Sequence, residues 1–89
     1  MKALIGTLYS GENEFDECLG SIHSQTYNNF EHIVLRFLPN KEAHTTLFKT
    51  FIEQADLFDL LIKVDADMVI CSELLFENII KKCRNLKLI

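Results

Sequence analysis

Apolar residues recur along this chain at two alternating spacings, and the alternation predicts its elements. Residues 2–8 read as a first strand, with Ala3-Leu4-Ile5 at its centre and Gly6-Thr7 near its end. Phe15, Cys18, Leu19 and Ile22 follow at i, i+3, i+4 and i+7, one face of an amphipathic helix. Ser10 or Asn13 offers that helix a cap, and Glu12, Glu14, Asp16 and Glu17 suit the positive end of its dipole. Residues 26–30 read as loop and residues 31–38 as a second strand around Ile33-Val34-Leu35. Pro39-Asn40 stops that strand and starts a second helix, whose apolar stripe is Ala43, Leu47, Phe48, Phe51, Ile52 and Ala55. A third strand runs through Leu60-Leu61-Ile62. Ser72-Glu73 opens a third helix with Leu75, Phe76, Ile79, Ile80 and Cys83 on one face, and residues 86–89 read as a fourth strand.

Strands alternating with helical crossovers predict right-handed parallel pairing. The expected fold class is α/β, a Rossmann-like parallel sheet with alternating helices, spanning residues 1–89 as one domain. The first strand is expected beside the second and the fourth, with the third outside the second. A sheet that ends on an open strand invites pairing with another chain, so self-association through that edge is expected.

Composition narrows the picture only by exclusion. At 48% apolar and 25% charged, with one proline, the 89 residues are those of an ordinary globular protein. The net charge of -4 argues against nucleic acid or an anionic membrane as partner. No apolar run reaches transmembrane length. Cys18, Cys71 and Cys83 are an odd count without C-x-x-C spacing, which predicts buried free thiols and a cytoplasmic location. His23, His32 and His44 lack the spacing of a zinc site.

Chemistry concentrates after the third strand, at Asp65-Ala66-Asp67. Aspartate is a poor strand former, so the pair belongs where the strand leaves the sheet, the edge at which open α/β sheets bind ligands. In extended chain, residues at i and i+2 point the same way, so Asp65 and Asp67 converge. Two carboxylates make a hard oxygen site suited to Mg²⁺ or Mn²⁺, usually with a phosphate. The first loop, Gly6-Thr7-Leu8-Tyr9-Ser10-Gly11, has neither a G-x-G-x-x-G nor a P-loop signature.

Two segments in order carry a resemblance. The first is Thr7-Leu8-Tyr9-Ser10-Gly11-Glu12-Asn13-Glu14 followed by Cys18-Leu19-Gly20-Ser21-Ile22-His23-Ser24-Gln25-Thr26-Tyr27-Asn28-Asn29-Phe30-Glu31. The second is Asp65-Ala66-Asp67. Together they resemble the opening of family-two glycosyltransferases. The resemblance covers essentially the whole chain but only the nucleotide-binding half of such an enzyme. It implies a GT-A fold, a nucleoside-diphosphate sugar as partner, and residues 1–89 as the N-terminal part of a larger glycosyltransferase domain. It further implies that Thr7, Tyr9 and Glu12 line the nucleoside pocket, that Asp65 faces the ribose or the metal's water shell, and that Asp67 is the direct ligand of Mn²⁺ or Mg²⁺. The family's catalytic base and acceptor site lie beyond residue 89, so activity of this chain alone is not expected. Where relatives carry an acidic pair that contacts the base, this sequence has Arg36 and Phe37. His44 and Lys49 fall on the second helix near the expected nucleotide. From the residues alone, Tyr9 suits packing on the first helix as well as it suits a base, and residues 21–30 suit a helix terminus and loop that position the second strand.

Two alternatives remain open. Residues 61–70 also resemble the first motif of haloacid-dehalogenase-type phosphatases, in which Asp65 would be the nucleophile and Asp67 the general acid/base. Only 22 residues follow Asp67, too few for that family's other motifs. The other alternative is a non-catalytic α/β interaction module.

Overall fold

The structure, a computed structural model, describes residues 1–85, with side chains through residue 83. The chain runs β1 (Ala3–Tyr9), α1 (Phe15–His23), β2 (Phe30–Arg36), α2 (Asn40–Glu53), β3 (Leu60–Lys63) and α3 (Leu75–Asn85). The expected fourth strand at residues 86–89 lies outside the described residues. The expected α/β architecture is present as a three-stranded, all-parallel sheet with alternating helices.

Strand order departs from expectation. It is β2-β1-β3, so β3 lies against β1 and not outside β2. Ala3 to Tyr9 pair with Phe30 to Arg36 on one side, and Ala3 to Gly6 with Leu60 to Lys63 on the other. The first five residues of β1 are fully covered, whereas β2 and β3 are half-buried edges among the described residues. The two crossovers, from β1 to β2 and from β2 past β1 to β3, therefore run in opposite directions across the sheet. Each being right-handed, they put α1 and α2 on opposite faces of the sheet.

Strand alternation assigns the residues of β1 to those faces. Ala3 and Ile5 pack with Cys18 and Ile22 of α1, with Val64 just after β3 and with Phe76 of α3, forming one core cluster. Leu4 and Gly6 face the other way, toward Ala43 and Leu47 of α2. Gly6 is required there by close approach, since a Cβ at this position would lie 2.4 Å from Leu47 Cδ1. The apolar stripe of α2 is narrower than its sequence suggests. Ala43 and Leu47 are buried, but Phe48 and Ile52 are 53% and 70% exposed. A single sheet face meets only one line of a helix, and nothing among the described residues covers the neighbouring line. No helix among the described residues is long and apolar enough to cross a membrane.

Candidate functional site at the carboxyl edge of the sheet

β3 ends at Lys63, and its last sheet bond is the Val64 N–H donating to Gly6 O at 2.8 Å. Asp65-Ala66-Asp67 then leaves the sheet in a turn closed by the Met68 N–H on Asp65 O at 2.9 Å. Ala66 is buried, while Asp65 and Asp67 on either side are exposed, in a turn where extended chain was expected. Lys63 Nζ reaches Asp65 Oδ1 at 3.0 Å, and no ion pair among the described residues involves Asp67.

These residues form one wall of a cavity of about 480 Å³, also lined by Leu8, Ser10, Glu12, Asn40 and His44. The turn after β1 is closed by its own side chain, with the Ser10 N–H donating to Glu12 Oε2 at 2.8 Å. Ser10 and Asn13 do not cap α1, which starts after Glu14 without a side-chain cap. Opposite, α2 starts after Pro39, again uncapped, so its first backbone N–H groups and Asn40 face the same region. His44 Nδ1 lies 2.8 Å from Asn40 O, and because a carbonyl only accepts, the proton sits on Nδ1 and leaves Nε2 to the cavity. Glu12, Asp65 and Asp67 against Lys63 make the lining anionic.

Glu12, Asp65 and Asp67 are thus brought together as expected, but Thr7 and Tyr9 are not among the lining residues. Alternation along β1 turns both toward α1, leaving Leu8 to face the cavity. Thr7 is fully buried, with its hydroxyl 2.8 Å from His32 Nε2. His32 titrates below the usual imidazole range, chiefly through burial and then through the charge of His23, whose ring lies 5.9 Å away. Tyr9 stacks on Phe15 of α1 with centroids 4.1 Å apart. Phe37 meets the Tyr9 ring edge-on at 5.4 Å, and the Arg36 guanidinium lies 5.4 Å from the Tyr9 centroid and 5.2 Å from that of Phe15. Phe37 itself has a φ of 55°, a left-handed conformation costing on the order of 1–3 kcal/mol for such a side chain. Lys49 lines a different, shallow groove with Phe48 and Ile52 on the outer surface of α2.

Sequence reasoning missed two supports. Cys18, buried under the turn, donates its thiol to Asp65 O at 3.5 Å. Burial first, and then the charges of Asp67 and Asp65, push its pKa up, so the thiol keeps its proton as a donor. Cys71, by contrast, is exposed and Cys83 half-buried, so only one of the expected buried thiols is buried. The second support is Gln25, 6% exposed. Its Nε2 donates to Ser72 O at 2.7 Å and Ser21 O at 3.4 Å, while its Oε1 accepts the Phe76 N–H at 2.9 Å. Thr26 adds Oγ1 donation to Glu73 O at 3.2 Å. The segment expected to position β2 therefore also clamps the chain between Asp67 and α3. A glutamine after an apolar helix face is the only sequence signal for it.

Among the described residues no group of three or more His, Cys, Asp and Glu side chains is arranged to hold a metal ion. The donor chemistry at Asp65 and Asp67 suits a Mg²⁺ or Mn²⁺ whose shell is completed by phosphate oxygens and water, because such ions are commonly held by one or two carboxylates plus substrate. No protein-family model, no curated protein and no solved structure matches the chain.

Proposed function

We propose that this chain binds a nucleoside-diphosphate sugar together with Mg²⁺ or Mn²⁺, as the sugar-nucleotide-binding portion of a metal-assisted glycosyltransferase. The observation that carries the reading is the convergence of Asp65 and Asp67 with Glu12 in one cavity at the carboxyl edge of a parallel sheet. The two matched sequence segments support it independently. Asp67 would hold the cation directly, and Asp65, steadied by Lys63, would take its water shell or the ribose. Lys63 has further N–H donors for a phosphate oxygen, and the uncapped start of α2 adds backbone donors. When bound, the cation offsets the diphosphate charge and stabilises the diphosphate as a leaving group.

The electrostatics dictate the test. An anionic cavity and a diphosphate repel each other, so the ligand needs the cation. Calorimetry should detect uridine or guanosine diphosphate binding with Mg²⁺ or Mn²⁺ and none after chelation. Asp67→Asn keeps the shape, removes one charge, and should weaken nucleotide binding about tenfold or more. Asp65→Asn should cost less, because an amide still hydrogen-bonds a hydroxyl. Cation-independent binding, or binding untouched by Asp67→Asn, would remove the reading.

A further inference from the structure

We propose that Phe37 is a stacking platform for a planar heteroaromatic base, so that the adjoining cavity takes nucleoside diphosphates with little preference among bases. The inference deepens the function proposed above and rests on it, since the diphosphate is assigned to the Asp65–Asp67 cavity.

Phe37 follows directly on β2 and is 68% exposed, although it is the aromatic member of a packed group. Its N–H donates to Tyr9 O at 2.8 Å, extending the β1–β2 ladder by one bond. Tyr9 backs it edge-on, and Tyr9 is in turn held by Phe15 and Arg36. The ring is thus supported from below and open above. Its left-handed backbone is unfavourable for phenylalanine, and packing of so exposed a side chain offsets little of that cost. Strain of this kind points to a use for the ring outside the fold.

Position relates the platform to the cavity. Ser10 and Glu12 line the cavity, and a Cβ on Gly11 between them would lie 3.8 Å from Phe37 Cε1. The Ser10–Glu12 turn is therefore a wall shared by the two. It stands where β1 and β2 send their helices to opposite faces, the crevice in which open α/β sheets bind ligands. A ligand anchored at the carboxylates through a charged, hydroxyl-rich part can lay a flat apolar part on Phe37. The ring packs edge-on against Tyr9, over which the Arg36 guanidinium lies, so the surface it offers a ligand is its own π-face. A π-face accepts every base.

The test titrates the 89-residue chain with Mg²⁺ present, using inorganic pyrophosphate, uridine diphosphate and guanosine diphosphate as probes. Phe37→Gly suits the left-handed backbone and removes only the ring, and Phe37→Trp restores a larger one. The expected result is a loss of about fivefold to a hundredfold for both nucleotides in Phe37→Gly, unchanged pyrophosphate affinity, and recovery in Phe37→Trp. The two nucleotides should bind within about threefold of each other. Nucleotide binding unaffected by Phe37→Gly, or no tighter than pyrophosphate binding, overturns the platform and leaves the cavity reading standing. A strong preference for one base overturns the tolerance. Failure of pyrophosphate to bind with Mg²⁺ removes the cavity reading and the platform with it.

Discussion

Gln25 clamps the chain at Ser72 and Phe76, a few residues after the turn carrying Asp65 and Asp67, and both features are built from polar side chains at the ends of apolar elements. At the clamp, every polar atom of a nearly buried glutamine is matched to a backbone partner on another segment. At the turn, carboxylates stand exposed on an uncapped, anionic cavity, and only Asp65 has an ion pair. Hydrogen bonding inside the protein is thus saturated at one and left open at the other. Groups of the first kind hold a fold together, because an unmatched buried polar atom costs more than a matched one contributes. Groups of the second kind are available to a ligand.

The contrast breaks most visibly at the clamp. Gln25→Ala leaves the Phe76 N–H without its partner and the Ser72 carbonyl with only the Leu75 N–H at 3.3 Å, and should lower stability by about 1–3 kcal/mol in urea unfolding. A variant as stable as the parent would mean that Thr26 and the apolar contacts suffice.

A smaller effect probes Thr7, which the family resemblance places with the ligand and the geometry places with the packing. Its partner His32 has a folded pKa held below its unfolded value of about 6.5, by burial first and by His23 second. A depressed pKa means the unfolded chain binds more protons, so stability is full above about pH 6.5 and falls as the pH drops toward the folded value. His32→Gln should flatten that slope, and His23→Gln should reduce it less. A slope unchanged by His32→Gln would detach the Thr7–His32 contact from folding.

The smallest expected effect on stability is at Asp67. Exposed and outside any ion pair among the described residues, it should tolerate Asn within about 0.5 kcal/mol, even as the proposed cation-dependent binding should weaken. Destabilisation beyond about 1 kcal/mol would move Asp67 to the structural side of the comparison.

Much of this arrangement was legible along the chain. The face Phe15, Cys18, Ile22 packs as its spacing indicates, and Pro39-Asn40 starts α2 where expected. The place of Asp65 and Asp67 just past the end of β3 follows from the poor strand propensity of aspartate, although the pair sits in a turn and not in extended chain. The resemblance grouped Glu12 with them, and the cavity does the same. The places of Thr7 and Tyr9 were not legible, because strand alternation turns these two toward α1, and nothing local says which face of β1 looks onto the cavity.

What the sequence by itself determined are properties set within a few residues: the period of each apolar run, the capping and breaking residues, the parallel sense of the crossovers, and the paired carboxylates after β3. What only the tertiary structure decided are the order β2-β1-β3, the exposure of Phe48 and Ile52, the joining of Gln25 to Ser72 and Phe76, and the left-handed Phe37 beside Tyr9 and Gly11. Periodicity says that a face is apolar but not which surface will meet it. That choice is made by contacts far apart in sequence, such as Leu47 seated on Gly6, whose free energy exists only once the chain has closed on itself.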